Sequence, residues 1–191
     1  MTGLPPRLLI SAYAQGAFPM GVEGEIHWFS PDPRAILPLD QFHVSRTLRS
    51  LLRRAVFEIR VDTQFAKVIR HCAERPEGTW ISEQIIQAYT ELHRLGFAHS
   101  VEAWRDGQLV GGLYGVALGG AFFGESMFHL ARDASKVAMV FLVQRLLQRD
   151  FALLDVQFMT EHLRQFGAVE ILRDAYLERL AAAIEKPSRF K

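Results

Sequence analysis

The sequence predicts an α+β fold in which helices flank a mixed β-sheet, and three observations predict it. Turn signals at Asp106-Gly107 and Gly119-Gly120 separate three strand-like runs, as in an antiparallel meander. An apolar stripe with helical spacing follows over residues 134–149. The next strand-like run, FALLDVQF, is then placed to join the meander in parallel through a right-handed crossover.

The N-terminal part of the chain reads as a helix followed by loops. Residues 6–15 begin with prolines and have Gly16 just past their end, which favours a helix. The stretches GAFPMG and WFSPDPR contain the proline and glycine that are typical of loops. We therefore expect a short N-terminal segment, residues 1–33, followed by a main domain, residues 34–191, in which RAILPL forms a short strand.

Further elements surround the meander. An apolar stripe predicts a helix over 44–55, and FEIRV predicts a strand. Asp62 is expected to cap the next helix, and Ser82 the one after it, which ends at Gly96. A short helix near 160–166, the strand AVEIL and a C-terminal helix follow the crossover strand. This order of elements is also that of the GNAT acetyltransferase fold.

Composition and charge exclude several classes of protein. The 191 residues carry 22 basic and 21 acidic side chains, so any polyanion must meet a local patch. Cys72 is the only cysteine, which excludes an internal disulfide and a thiolate zinc cluster and fits a reducing compartment. No apolar run approaches the length of a membrane span, so we expect a soluble, cytoplasmic protein. The sequence has neither paired histidine spacing nor a phosphate-binding glycine loop, so no metal and no cofactor are predicted.

Charged side chains on two predicted core strands point to a functional site. Glu125 lies between Phe123 and Met127, and burying an unpaired carboxylate costs several kcal/mol. Strand alternation along FALLDVQF places Asp155 and Gln157 on one face. The other face consists of Ala152, Leu154, Val156 and Phe158. Because one helix separates the two strands, the two acids can converge at one end of the sheet, which suits an amine or cationic substrate.

Two nearby residues have ordinary explanations. Ser126 lies in GESMF, a near miss for a hydrolase nucleophile elbow, but Phe128 replaces the second glycine that the sharp turn needs. Lys136 lies in the first turn of a predicted helix, where the helix dipole disfavours a cation. Pairing with Glu125 or Asp133 is the favoured interpretation of Lys136, and contact with an anionic ligand is the alternative.

The run VSRTLRSLLRR gives the helix over 44–55 a basic face, and we call this element the arginine helix. Arg46, Arg49 and Arg53 lie at helical spacing opposite the leucines, Arg54 is adjacent, and no acidic residue interrupts the run. Such a face is as consistent with plain solvation as with contacts to nucleic-acid phosphates.

Taken together, these segments resemble the leucyl/phenylalanyl-tRNA–protein transferase family. The similar pieces extend over nearly the whole chain in order: AYAQGAFPM, WFSPDPRAILPL, HVSRTL, GTWI, AHSVEAW…LVGGLYGV, FFGESMF, DASK, LLDVQ and FGA. The resemblance implies a GNAT-like catalytic domain that moves Leu, Phe or sometimes Met from aminoacyl-tRNA to proteins with N-terminal Arg or Lys. That addition marks the acceptor for degradation by the N-end rule. The family implies no metal and no ATP, because the aminoacyl ester is already activated.

The resemblance also implies roles for individual residues. Asp155 and Gln157 would form the catalytic pair, with Glu125 shaping the acceptor site, and Trp80 would meet the terminal adenosine. The arginine helix would meet the acceptor stem of the tRNA. The apolar amino-acid pocket would be lined by Leu113, Phe122, Met139, Leu142, Leu146 and Leu154.

The chain departs from the family pattern in several places. Better-known members carry a further N-terminal segment, so the small N-terminal domain is expected to be truncated here. Met20 stands where a tryptophan often follows Phe-Pro, which affects one adenosine-stacking contact. Leu113 replaces a methionine, and Leu142 and Leu146 replace phenylalanines, changes that can shift the preference among Leu, Phe and Met donors.

Two alternatives stay open at this point. One is an acyl-CoA-dependent N-acetyltransferase on the same fold, although HLARDASK lacks the glycines of a pyrophosphate loop. The other is a non-catalytic RNA-binding module that uses the arginine helix, which leaves the acids on the core strands unexplained. We expect the protein to act as a monomer.

Overall fold

A seven-stranded mixed sheet forms the centre of the computed structural model, which describes residues 3–191. The strands are β1 Phe18–Val22, β2 Glu25–Phe29, β3 Arg34–Ile36, β4 Glu58–Val61, β5 Ala98–Arg105, β6 Gln108–Leu118, β7 Ala121–His129, β8 Leu153–Gln157 and β9 Val169–Ile171. The helices are α1 Pro6–Ala14, α2 Arg46–Arg53, α3 Phe65–Ala73, α4 Glu83–Arg94, α5 Ala134–Gln148, α6 Glu161–Arg164 and α7 Arg173–Ile184. The order of the large sheet is β4-β5-β6-β7-β8-β3-β9, and β1 and β2 form a separate hairpin.

The predicted meander and crossover are confirmed. β5, β6 and β7 pair antiparallel across the two predicted turns. After α5, β8 returns parallel to β7, with Phe123 opposite Asp155. The carboxyl end of β8 therefore lies beside the middle of β7, which places Glu125 and Gln157 on neighbouring strands. The fold is thus the mixed sheet flanked by helices that the sequence predicted.

The prediction of loops after α1 was wrong. GAFPMG and the start of WFSPDPR contribute to the β1–β2 hairpin, in which Met20 lies opposite His27. Proline is tolerated in this hairpin because half of the backbone groups of a two-stranded ribbon make no ladder hydrogen bond. RAILPL does supply a short strand, β3, which pairs antiparallel with both β8 and β9. Arg34 therefore enters the sheet beside the strand that carries Asp155.

Asp62 does not cap the helix that follows it. α3 begins at Phe65, and the carboxylate of Glu102 on β5 accepts hydrogen bonds from the backbone N–H groups of Thr63 at 2.9 Å and Gln64 at 2.7 Å. The acceptor comes from a distant strand, so local spacing could not identify it. The predicted cap of α4 is confirmed, since the Ser82 side chain accepts from a backbone N–H of the first turn.

Separate apolar layers cover the two faces of the sheet. α1, α3, α4 and α7 pack on one face, around Tyr89 and Phe123. α2 and α5 cover the other face, around Leu142 and Leu146. Within residues 3–191, no helix is long and apolar enough to cross a membrane.

Candidate active site

A cavity of about 440 Å³ lies where β8 ends beside β7, with α5 forming one of its walls. Its lining includes five of the residues predicted to bind substrate, namely Trp80, Leu113, Met139, Leu142 and Leu154. Phe122 and Leu146 are fully buried but do not line the cavity, contrary to the expectation. Phe122 precedes the lining residue Gly124 on β7, and Leu146 follows the lining residue Leu142 by one turn of α5.

Glu125 and Gln157 form a polar side of this cavity. Gln157 Nε2 donates a hydrogen bond of 3.1 Å to Glu125 Oε1, which turns the amide carbonyl of Gln157 away from the carboxylate. The Tyr13 hydroxyl donates to the same oxygen at 2.6 Å and is itself hydrogen-bonded to the Tyr89 hydroxyl. Glu125 Oε2 is buried and has no hydrogen-bond partner among the described residues. Glu125 lines the cavity, so this carboxylate has hydrogen-bonding capacity beside the cavity that no described residue uses.

Burial controls the charge of Glu125. Removal from water raises its pKa to about 7, although the hydrogen bonds from Tyr13 and Gln157 act in the opposite direction. A carboxyl group with this pKa changes charge near neutral pH, which is a common property of residues that bind or transfer protons in active sites.

Asp155 lies close to Gln157 but does not face the cavity. Arg34 donates to both of its carboxylate oxygens, with distances of 3.0 Å from Nε and 2.6 Å from Nη2. The Tyr176 hydroxyl donates a third hydrogen bond at 2.8 Å. The backbone N–H of Gln157 donates to Oδ1, also at 2.8 Å. We therefore correct the expectation that Asp155 presents its charge to a substrate: Arg34 compensates that charge, and Asp155 reaches the site through Gln157.

Arg34 is the main residue of the site that the sequence analysis missed. Its side chain is only 1% exposed and lies between the rings of Phe18 and Tyr176, whose centroids are 4.7 and 4.5 Å from the guanidinium carbon. Nη1 donates to the carbonyl of Gly16 at 2.9 Å. The available signal was an arginine at the start of the apolar run RAILPL, because a buried arginine needs an acidic partner.

The backbone changes direction at Gln157. Its φ of 65° lies in the left-handed region, which residues with a Cβ rarely adopt and which often marks functional sites. The strand ends there, and Phe158 lines the cavity together with Leu154 while its ring packs edge-on against Phe18, with 5.7 Å between the ring centroids. The hydrogen bond from the Gln157 N–H to Asp155 stabilises this turn, and the amide reaches Glu125 across the strand junction.

The remaining predictions near the cavity have simple outcomes. Lys136 pairs with Asp133 at 2.8 Å, which confirms the structural interpretation. The Ser126 hydroxyl accepts a hydrogen bond from Arg75 Nη2 at 2.9 Å. The sequence indicated no role for the other polar residues of the lining, which are Arg75, Tyr114, His129, Ser135, Thr160 and His162.

Met20 and Trp80 line the same side of the cavity. The backbone N–H of Gly21 donates to the Trp80 carbonyl at 2.9 Å, and a Cβ at Gly21 would come within 2.8 Å of that oxygen. Only glycine permits this approach, which fixes the β1–β2 hairpin against the loop that carries Trp80. The substitution at Met20 therefore falls within the site itself.

The arginine helix corresponds to α2 and lies on the outer side of the apolar layer that contains α5. The side chain of Ser45 caps it, Leu48 is buried, and α2 packs on α5, the helix that forms a cavity wall. All four of its arginines are exposed, and none forms an ion pair with another residue of the described chain: Arg46, Arg49, Arg53 and Arg54. No group of side chains within residues 3–191 is arranged to hold a metal ion.

The seven-stranded mixed sheet flanked by helices, with a cavity where β8 ends beside β7, defines an α+β protein with one candidate binding site at that junction. Residues 36–181 match the family model described as leucyl/phenylalanyl-tRNA protein transferase, and residues 3–32 match the model of that family's N-terminal domain. The chain therefore belongs to the leucyl/phenylalanyl-tRNA protein transferase family, which is a family of enzymes. This membership disfavours both the acyl-CoA-dependent and the non-catalytic alternatives.

Relatives named leucyl/phenylalanyl-tRNA–protein transferase are similar over nearly their full length. The proteins from Herpetosiphon aurantiacus and Gloeobacter violaceus are each 56% identical to this chain, with 98% of both chains covered. Solved structures are much less similar. L-PGS from Bacillus licheniformis has a TM-score of 0.43 at 17% identity, over 80% of this chain and 53% of that one. A functionally unknown conserved protein from Staphylococcus epidermidis has a TM-score of 0.49 at 13% identity, over 87% of this chain and 64% of that one. Similarity at this level indicates nothing about activity.

Breaking the buried ion pair between Arg34 and Asp155 should destabilise the folded protein. Arg34→Met leaves the Asp155 carboxylate unpaired in the interior, so we expect the free energy of unfolding to fall by about 3–5 kcal/mol in urea denaturation at neutral pH. Adding Asp155→Asn removes the stranded charge, so the double variant should lose less than the sum of the two single losses. Arg60→Met is the matched control, because Arg60 pairs with Glu58 at the surface and should cost below about 1 kcal/mol. Additive losses at positions 34 and 155 would contradict the pairing.

Proposed function

We propose that this chain transfers Leu, Phe or Met from aminoacyl-tRNA to proteins whose N-terminal residue is Arg or Lys, and so marks them for N-end-rule degradation. The observation that supports this most is a cavity that combines apolar walls along α5 with a polar side at Glu125 and Gln157. An apolar aminoacyl side chain suits the walls. The amine and the cationic side chain of the acceptor suit the polar side.

The donor is expected to enter past Trp80 and Met20. A half-buried indole offers a flat face on which the terminal adenine can stack, and such stacking needs no sequence-specific hydrogen bonds. The polarisable thioether of Met20 can pack against the same base in place of a second aromatic ring. The volume of about 440 Å³ is within the range of sites that hold a compact ligand group.

The reaction needs orientation more than a strong base. The neutral α-amine attacks the ester carbonyl, a C–N bond forms, the C–O bond to the ribose breaks, and the amine proton ends on the ribose hydroxyl. An amine pKa near 8 leaves a useful neutral fraction at neutral pH, so proximity can supply much of the rate. Since Gln157 Nε2 is occupied by Glu125, its carbonyl oxygen is the end that accepts an N–H of the attacking amine.

The two acids have different roles in this proposal. Asp155 is a positioning residue, because it acts by fixing the backbone of Gln157 and is itself held by Arg34. Glu125 meets the acceptor, because its unpartnered Oε2 can pair with the guanidinium or ammonium group of the first residue. A charge pair in a buried site is stronger than the same pair in water, which favours Arg or Lys over neutral residues.

The acceptor preference should depend on pH. We expect the ratio of kcat/KM for an Arg-initiated peptide to that for an Ala-initiated peptide to fall by up to about tenfold from pH 8.5 to about pH 6, with labelled Leu-tRNA as donor. The Glu125 pKa of about 7 means that its carboxylate becomes neutral as the pH falls through this range, and the attraction to the guanidinium is then lost. Titration of the α-amine cancels, because both peptides carry one.

Two variants sharpen this test. Glu125→Gln should give a low ratio that does not change with pH. Glu161→Gln removes an exposed acid between the lining residues Thr160 and His162, and it should leave the ratio and its pH dependence unchanged. A pH dependence that survives in Glu125→Gln would overturn the role of Glu125. Failure of the unaltered chain to transfer Leu or Phe would overturn the proposed function.

The arginine helix should act only on donors that have an acceptor stem. Arg49→Gln should raise the KM for charged tRNA several-fold and lower the slope of log affinity against log salt by roughly 0.7–1, since one phosphate contact is lost. An aminoacyl-adenosine donor should be unaffected, because it reaches only the cavity. Arg179→Gln, an exposed arginine on α7 over the other face of the sheet, is the control and should change neither donor. Equal damage to both donors at Arg49, or none to either, would contradict this role.

A further inference from the structure

One side chain in the irregular segment after α7 is buried. Residues 187–191 form neither helix nor strand, and Arg189 and Lys191 are exposed, yet Phe190 is only 2% exposed. A single aromatic ring buries a large apolar area, so this residue contributes most of the packing of the segment.

Neighbouring elements hold the segment in place on both sides of Phe190. Arg145 on α5 donates from Nε to the Phe190 carbonyl at 2.8 Å, and its guanidinium carbon lies 5.1 Å from the centroid of the ring. The adjacent Lys191 pairs with Asp62 at 3.1 Å, just after β4. The ring is therefore fixed between α5 and the β4 side of the sheet.

Phe190 packs directly against Phe122. The two rings stack with centroids 5.1 Å apart at an interplanar angle of 29°. On β6, Gly115 makes room for Phe122, because a Cβ at that glycine would come within 2.4 Å of Phe122 Cε1. The Phe122 ring is thus confined by the backbone of β6 and by Phe190.

Phe122 and Leu146 lie outside the cavity lining, in the same apolar cluster as the lining residues Leu142 and Leu154. On β7, Gly124 lines the cavity and Phe122, two residues earlier, does not. On α5, Leu142 lines it and Leu146, one turn later, does not. Both elements therefore continue from the cavity wall into this apolar cluster, in which Phe190 stacks on Phe122.

We propose that Phe190 sets the depth of the pocket for the donor side chain and thereby its preference between Leu and Phe. This inference rests on the proposed function of the cavity. Packed interiors have little free space, so Phe122 cannot retreat while the Phe190 ring lies behind it. Removal of that ring lets Phe122 and Leu146 move back, which deepens the pocket and favours the longer side chain.

The test uses two ligands that differ only in the side chain. These are 3′-leucylamino- and 3′-phenylalanylamino-adenosine, in which an amide replaces the transferable ester. We expect Phe190→Ala to shift the ratio of their Kd values toward the phenylalanyl ligand by at least about fivefold, because apolar pockets discriminate by fit to about this extent per missing group. Phe190→Leu, which keeps more of the packing, should shift the ratio in the same direction by less.

A matched control separates pocket depth from stability. Leu92→Ala also removes a fully buried apolar side chain, but Leu92 is on α4 in the other layer and does not line the cavity. Its ratio should equal that of the unaltered chain, since a ratio measured on one preparation does not depend on the folded fraction. An unchanged ratio in folded Phe190→Ala or Phe190→Leu, or an equal shift in Leu92→Ala, would overturn the inference.

Transfer assays distinguish this inference from the proposed function. With charged tRNA donors, the ratio of kcat/KM for Phe to that for Leu should rise in Phe190→Ala in parallel with the Kd ratio. If the unaltered chain transfers both residues and the variant keeps the same ratio, the inference fails and the proposed function stands. If the unaltered chain transfers neither, the proposed function fails, whereas a shifted Kd ratio would still support the role of Phe190 in pocket depth.

Discussion

The buried ion pair between Arg34 and Asp155 is the interaction on which the rest of the site depends. Both side chains are excluded from water, so each charge would be very costly without the other. The pair also connects distant parts of the chain, because the arginine binds the carbonyl of Gly16 after α1 and the aspartate binds the Tyr176 hydroxyl on α7. Its geometry fixes β3 beside β8 and leaves one carboxylate lone pair for the backbone of Gln157.

A second carboxylate on the neighbouring strand has the opposite environment. Glu125 receives hydrogen bonds from a tyrosine and an amide but no buried cation contacts it, so burial raises its pKa to about 7. Two nearby acids with such different surroundings can have different roles in one site. One acid is paired with a buried arginine and is structural, and the other can respond to an incoming cation. Gln157 joins the two, with its backbone bound to Asp155 and its side chain to Glu125.

Sequence periodicity and turn chemistry were sufficient for the meander, α5 and the parallel return of β8. They also indicated Glu125 and Gln157 as polar residues on core strands, whereas the apolar wall of the cavity was implied by the family resemblance. Periodicity and turn chemistry could not predict the features that depend on contacts between segments far apart in the sequence. The partner of Asp155, the Glu102 carboxylate at the start of α3, and the tyrosines around Glu125 all come from elsewhere in the chain. Alternation also failed at Gln157, where a left-handed residue ends the strand pattern.

The central claim is that Asp155 acts on the reaction only by holding Gln157 in place. It is tested most directly by single-turnover transfer from saturating Leu-tRNA to an Arg-initiated peptide by the Asp155→Asn variant, together with the Kd for the charged tRNA. An asparagine amide group would face Arg34 Nη2 and the Tyr176 hydroxyl, which both donate to Asp155 Oδ2, so the support of Gln157 would be disturbed. We therefore expect a rate constant reduced by roughly 100-fold or more. The Kd should stay within about twofold, because Asp155 is not part of the cavity lining. An unchanged single-turnover rate, or a loss confined to tRNA binding, would contradict the account.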